Sequence, residues 1–301
     1  MAETALAIET TGLTKDFGAG RGVFDLDLAV TAGEVFGFIG PNGAGKTTTI
    51  RLLMDFLRAD RGRALIFGHD ARGESVRVKP LVGYLSGELP QYGALRGAEI
   101  VGLLAGLRGG VDRTRIEDLA RRLDLDLSRR YRELSHGNKQ KVAIVQAFMH
   151  RPRLLVLDEP TLGLDPLMQQ EFRALVREAV ADGVTVFLSS HVLSEVEQVC
   201  DRIAMIREGR LVRLGSLAEL RTIRAHRVEA SFTGTVDTRA LGAVPGVERV
   251  EVADHRLRCS VTGSIGPLLA ALRTAEVVEL DSVELSLEEV FLAHYGAAAT
   301  D

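Results

Sequence analysis

The residues that can do chemistry are concentrated in Gly40-Pro41-Asn42-Gly43-Ala44-Gly45-Lys46-Thr47, a G-x-x-x-x-G-K-[ST] run followed by Thr48. Glycine at 40, 43 and 45 lets the backbone curl until its N–H groups face a phosphate chain with no side chain in the way. Lys46 places a positive charge near the β- and γ-phosphates of a nucleotide, and the Thr47 hydroxyl can ligate Mg²⁺. A helix starting at this point adds unpaired N–H groups and the positive end of its dipole. A loop of this kind needs a carboxylate to hold the metal. Leu154 to Leu157 are four apolar residues that deliver Asp158, and Glu159 follows, able to polarise an attacking water. His191 ends another apolar run and can donate to a γ-phosphate. Each has a plainer explanation alone: a turn that binds nothing, a capping Asp, a solvated Glu, a histidine satisfied by backbone. The last three weaken when Asp158, Glu159 and His191 all lie at ends of parallel strands, where ligands of open α/β sheets bind.

The elements that must position these groups are legible. Val35 to Ile39 is an apolar run that predicts a buried strand before the glycine-rich loop. Ile50, Leu53, Met54 and Leu57 at three- and four-residue spacing predict the helix after it. Upstream, Ala5 to Gly12 reads as an edge strand, and Phe24, Leu26, Leu28 and Val30 alternate like a strand with one buried face. Phe17, just before a Gly-rich turn, reads from composition as a core aromatic. Ala64 to Gly68 and Leu81 to Leu85 are further strands. From Leu95 to His150 the pattern is helical, with Ile100/Leu103/Leu104/Leu107, Ile116/Leu119/Ala120/Leu123 and Val142/Val145/Phe148/Met149 marking three helices. A core pattern resumes with strands at Leu154 to Leu157 and Val184 to Leu188, separated by a helix from Pro166 to Asp182 with proline in its first turn. Ile203 to Ile206 and Leu211 to Leu214 flank a hairpin signal.

Beyond about Arg224 the pattern changes to β-α-β-β-α-β, resembling a small ferredoxin-like unit with a further helix over Leu287 to Tyr295. Cys259 shares the apolar phase of Leu257 and Val261 and reads as core. The 301 residues suffice for one large core and a smaller domain. A net charge of -4 gives no global positive field to recruit nucleic acid. Two cysteines without ligand spacing fit a reduced compartment. Met1 to Thr10 has no signal-peptide pattern, and no apolar stretch is long enough to span a bilayer. Any membrane role is expected to come through a partner.

Taken together, these motifs resemble the ATP-binding subunit of an ATP-binding-cassette (ABC) transporter, over nearly the whole chain. Gly40 to Thr47 matches the Walker A motif and Leu154 to Glu159 the Walker B motif with its glutamate. Leu134-Ser135-His136-Gly137-Asn138 stands at the signature motif, usually L-S-G-G-Q. Gly163-Leu164-Asp165 matches the D-loop, and His191 the switch histidine. Phe17 matches the aromatic that stacks on adenine, which favours stacking over packing. Gly87 stands where the family usually has a glutamine that ligates Mg²⁺; Glu88 and Gln91 are nearby but unmatched. Ser286-Leu287-Glu288-Glu289-Val290-Phe291 and the C-terminal tail look like the drug- and antibiotic-exporter branch, ABC-2.

The resemblance implies a fold and a mechanism. The fold is α/β: a P-loop NTPase core with an antiparallel β subdomain and an inserted helical subdomain, about 92–150, within an ATP-binding domain of 1–222. A small α+β accessory domain of 223–301 follows. ATP and Mg²⁺ are the implied cofactors. Glu159 and His191 are catalytic. Phe17, Gly40, Pro41, Asn42, Gly43, Ala44, Gly45, Lys46, Thr47, Thr48 and Asp158 hold nucleotide, with Thr47 and Asp158 on the metal. A second copy, docked head to tail, supplies Ser135, Gly137 and Asp165 across the seam. A separate membrane permease is expected near Tyr84, Leu85, Leu89, Tyr92 and Leu95, placing the chain at the cytoplasmic face of the membrane. Two other functions stay open: a nucleotide-binding module with little turnover, and a soluble non-transport ABC ATPase.

Overall fold

The computed structural model describes residues 5–221 and 225–284, which fall into two compact units dividing after Ser216. The first opens with β1 (Leu6–Asp16) and β2 (Gly22–Thr31), then β3 (Val35–Ile39), α1 (Lys46–Leu53), β4 (Arg61–Ile66) and β5 (His69–Asp70). A short helix α2 (Ser75–Val78) leads to β6 (Val82–Leu85). Next come the helices α3 (Gly97–Leu107), α4 (Arg113–Arg122) and α5 (His136–Phe148). The chain then returns through β7 (Leu154–Asp158), α6 (Pro166–Ala181), β8 (Thr185–Ser190), α7 (Leu193–Val196), β9 (Arg202–Arg207) and β10 (Arg210–Ser216).

These strands form two sheets. The six-stranded sheet has the order β10-β9-β3-β8-β7-β6, parallel except for β10, which turns back on β9 as the expected hairpin. All residues of β3, β7 and β8 are buried, as continuous apolar runs at the centre of a parallel sheet should be. Phe36 and Phe38 pack on Phe187 with ring centroids 5.9 and 5.4 Å apart. Parallel order sends the C-terminal ends of β3, β7 and β8 to one side, so Gly40, Glu159 and His191 all emerge there. The four-stranded antiparallel sheet has the order β2-β1-β4-β5. Its first strand is therefore central rather than the expected edge, because β4 pairs on its open side. The helix after the loop is also shorter than expected. It caps at Met54, and Asp55 takes a left-handed φ of 55°, so Leu57 packs on the core from beyond the helix.

At Gly37 the sheet admits no side chain. A Cβ there would lie 2.5 Å from Val196 Cγ1, 3.0 Å from Cys200 Sγ and 3.1 Å from Ile203 Cγ2. Gly37→Ala is expected to destabilise the chain by about 1–3 kcal/mol through overpacking. A lower urea midpoint at unchanged slope measures it; an unchanged midpoint would mean this packing is wrong.

The second unit runs α8 (Leu217–Arg221), β11 (Ala225–Phe232), α9 (Thr238–Gly242), β12 (Val247–Ala253), β13 (Arg256–Thr262), α10 (Gly266–Ala271) and β14 (Val277–Glu284). Its sheet is antiparallel in the order β12-β13-β11-β14, the ferredoxin-like arrangement that the β-α-β-β-α-β pattern predicts. Val228, Leu241, Leu257, Cys259, Val261 and Leu268 share its core. Burial pushes the Cys259 thiol up to about 11, which suits an inert core cysteine. The Ser286 to Phe291 motif and the helix expected over Leu287 to Tyr295 lie outside the described residues.

Candidate functional site

The loop leaving β3 cannot be built with ordinary side chains. Gly43 and Gly45 have φ of 82° and 110°, the left-handed region open to glycine. A Cβ on Gly40 would stand 2.2 Å from the Ile206 carbonyl oxygen. The loop is anchored where the Gly209 N–H donates to the Ala44 carbonyl at 2.9 Å. Pro41, Asn42 and Gly43 are exposed, Thr47 and Thr48 half-buried. Thr49, which motif reading passed over, is fully buried and ties α1 to the loop through Oγ1 to the Gly45 carbonyl at 3.0 Å.

Lys46 is buried and bends back over the loop. Its Nζ donates to the carbonyls of Gly40 at 2.7 Å and Pro41 at 3.3 Å, and lies 3.3 Å from Glu159 Oε1. A buried ammonium needs such partners, and these three oxygens supply them. The other Glu159 oxygen lies 2.9 Å from His191 Nδ1. Asp158 is fully buried at the end of β7; Oδ2 accepts from Thr47 Oγ1 at 2.8 Å and Oδ1 from Ser189 Oγ at 2.5 Å. Ser189 Oγ and its carbonyl both accept from the Glu159 N–H, each at 3.2 Å. Residues 40–47, Asp158, Glu159 and His191, distant in sequence, thus form one continuous cluster. Ser189 is the member that motif reading missed; its only sequence signal is a hydroxyl two positions before the histidine.

The remaining expected residues sit elsewhere. Phe17 is 49% exposed on the turn after β1, with Lys15 Nζ 5.8 Å from its ring centroid. That overturns the composition-based reading of Phe17 as core, because the turn that carries it leaves about half of the residue open to solvent. Ser135 caps α5, accepting from the Asn138 N–H at 3.2 Å, and Asp165 caps α6, accepting from the Met168 N–H at 2.9 Å. Gly137 packs on the D-loop of its own chain: a Cβ there would lie 2.5 Å from the Gly163 carbonyl oxygen.

Two departures from the family pattern acquire positions. A Cβ on Gly87 would stand 3.0 Å from Asp158 Oδ2, so this glycine does face the buried carboxylate but offers it no ligand. Glu88 is turned to Arg51, 3.0 Å away, and Gln91 is exposed. The oxygens of Thr47 and Asp158 already meet each other at 2.8 Å. Such a pair of hard donors fits Mg²⁺, which takes one or two protein oxygens and completes its shell with phosphate and water.

Among the expected permease contacts, Leu85 is a correction. It is 1% exposed, because it is the last residue of β6 to pair with β7 and its side chain is enclosed there. Tyr84 is half-buried against Phe56, ring centroids 5.4 Å apart, and Tyr92 against Tyr131 at 5.1 Å. Leu89 is half-buried, and Leu95 and Phe56 are exposed.

Similarity to known proteins agrees with this geometry. The family described as "ABC transporter" matches residues 23–162. The daunorubicin/doxorubicin resistance ATP-binding protein DrrA of Streptomyces peucetius is 35% identical over 313 residues, covering 98% of this chain and 94% of that protein. An uncharacterized ABC transporter ATP-binding protein of Nostoc sp. is 42% identical over 200 residues, 64% of this chain and 59% of that one. A solved structure described as the ATP binding subunit of an ABC transporter superposes with a TM-score of 0.66 at 32% identity, covering 71% of this chain and 92% of that one. With a relative this similar aligned end to end, and the loop, buried aspartate, glutamate and histidine converging at one sheet edge, the chain belongs to the ABC transporter family, among its ATP-binding subunits.

Proposed function

We propose that this chain hydrolyses ATP to drive export of a drug- or antibiotic-like substrate through a separate membrane permease. The observation that carries the reading is the cluster of Lys46, Thr47, Asp158, Glu159 and His191 at the ends of β3, β7 and β8. The loop N–H groups and Lys46 bind the triphosphate. Thr47 and Asp158 would hold Mg²⁺, which when bound would supply positive charge to offset that of the phosphates. Glu159 orients the attacking water and accepts its proton, and His191 contacts the γ-phosphate. Lys46 must leave Glu159 for the phosphates, so nucleotide entry itself frees the general base. Phe17 is exposed where an adenine can stack on it.

Ser135 and Gly137 act on the nucleotide of a second copy docked head to tail, with Asp165 at the seam. The N-terminus of α5 then faces the γ-phosphate from the far side. Hydrolysis opens the pair, and this motion is passed to the permease. Support for a separate permease is that among the described residues no helix is long and apolar enough to cross a membrane. Tyr84, Leu89, Tyr92 and Leu95, together with exposed Phe56, are the contacts we assign to it, which puts the chain at the cytoplasmic membrane face. The relative named for daunorubicin and doxorubicin resistance supports the substrate class.

Gly87, facing Asp158 without a ligand, favours a second reading: a nucleotide-binding module with little turnover. Phosphate release by the purified chain with Mg-ATP, alone and with a co-expressed permease, separates the two. Sustained release is the expected result; none in either preparation would leave the second reading. As a companion test, Glu159→Gln with ATP is expected to elute as a dimer in gel filtration, and the nucleotide-free protein as a monomer. Monomer in both conditions would remove the head-to-tail arrangement.

A further inference from the structure

We infer that Gln140 is a positioning residue for the hydrolytic glutamate, holding the backbone of Glu159 in its left-handed conformation from the helix that starts at Ser135. This rests on the assignment of Glu159 above.

Glu159 has φ of 48°, a conformation that costs a non-glycine residue about 1–3 kcal/mol unless its surroundings impose it. It follows β7 directly, and the turn it makes decides where its carboxylate points. The N–H side of that turn is held by Ser189. The carbonyl side is held by Gln140 and by the Leu162 N–H, which donates to the Glu159 carbonyl at 3.2 Å. The Gln140 side chain is 2% exposed, and Nε2 donates to the carbonyl of Glu159 at 3.2 Å and of Pro160 at 2.9 Å. Both protons of one buried amide are therefore used on the two peptides that follow the Walker B aspartate. No other polar side chain of α5 has this placement: Lys139 reaches the Tyr131 ring and Lys141 the Asp124 carbonyl.

The same stretch is clamped further along. Gly137 abuts the Gly163 carbonyl, the His136 ring lies against Gly163, and Thr161 Oγ1 donates to Glu195 Oε2 at 2.6 Å. The first turn of α5 and the segment 159–163 thus form one contact surface, and among the described residues Gln140 is the side chain of α5 that hydrogen-bonds to the catalytic residue. A change in how Ser135 is gripped by a partner would be transmitted along α5 to Glu159 through this amide.

The test uses the full chain. Gln140→Met keeps side-chain length and removes both donors, leaving the Pro160 carbonyl without its partner and the Glu159 carbonyl with the Leu162 N–H alone. Three readouts are expected: ATP affinity within about threefold of wild type, kcat lower by about tenfold or more, and faster amide exchange confined to 156–164 in nucleotide-free protein. Val142→Ala, a buried change on the same helix that removes no hydrogen bond, is the control for lost stability; it is expected to lower the melting temperature but keep kcat and the exchange of 156–164. In a Glu159→Gln background, Gln140→Met should reduce turnover no further, since the group it aims is already disabled. Unchanged kcat and unchanged exchange in Gln140→Met would overturn the inference. So would an equal loss of kcat in Val142→Ala, or full additivity with Glu159→Gln. If Glu159→Gln alone retains normal turnover, the assignment of Glu159 fails, whereas the exchange of 156–164 still reports whether Gln140 holds the turn.

Discussion

Glu159→Gln will bind ATP with close to wild-type affinity and hydrolyse it at least about a hundredfold more slowly, which corresponds to about 2.7 kcal/mol of lost transition-state stabilisation. The substitution is isosteric, so the left-handed turn and the Ser189 and Gln140 contacts to its backbone survive. What disappears is a carboxylate able to take a proton from water. In the structure that carboxylate also holds Lys46 at 3.3 Å and His191 at 2.9 Å. An amide holds the ammonium less strongly, so the lysine moves to the phosphates at lower cost, and affinity is expected to stay level or rise. Isothermal titration with ATP and single-turnover phosphate release measure the two halves separately. Turnover near the wild-type rate would take Glu159 out of the reaction; a large loss of affinity would show instead that its charge organises the empty loop.

How much of this was legible in the sequence differs from element to element, for physical reasons. The glycine-rich loop, Asp158 and His191 follow continuous apolar runs, and such runs become central parallel strands whose ends share an edge. Order along the chain was enough to bring these residues together. The expected position of the N-terminal strand failed because edge or centre is decided by a pairing with β4, about fifty residues away, which local alternation does not encode. Leu85 misled for a related reason: a leucine at a strand end looks the same whether its last pairing partner encloses it or not. Phe17 went the other way, since composition favours burial for an aromatic, yet the turn that carries it leaves the residue about half exposed. Ser189 and Gln140 were invisible as members of the site because serine and glutamine in a strand and a helix carry no motif. Only three-dimensional adjacency turns them into hydrogen-bond partners of Asp158 and Glu159. The ferredoxin-like unit was readable because the alternation and spacing of its elements match a recurrent β-α-β-β-α-β pattern, whose strand order the pairings β12-β13-β11-β14 reproduce.

The second large effect is expected from Lys46→Ala, in binding rather than in chemistry. Lys46 is the buried cation of the loop, and three oxygens share it: two backbone carbonyls and the Glu159 carboxylate. Truncation removes the charge that would meet the β- and γ-phosphates. It also strips the cation from the Glu159 carboxylate at the place where a polyanion must enter, so lost attraction is joined by repulsion. The dissociation constant for ATP should rise by at least about thirtyfold, roughly 2 kcal/mol. The repulsive part is separable. In the double variant Lys46→Ala, Glu159→Gln the carboxylate charge is gone, and affinity should recover by about threefold or more relative to Lys46→Ala alone, a coupling that independent sites would not show. Titration of the four proteins with ATP completes the cycle, with thermal melting to confirm that each is folded. An unchanged affinity in Lys46→Ala would mean the phosphates lie somewhere other than the loop. A loss with no recovery in the double variant would leave the lysine's role intact and remove Glu159 as the group that opposes nucleotide entry.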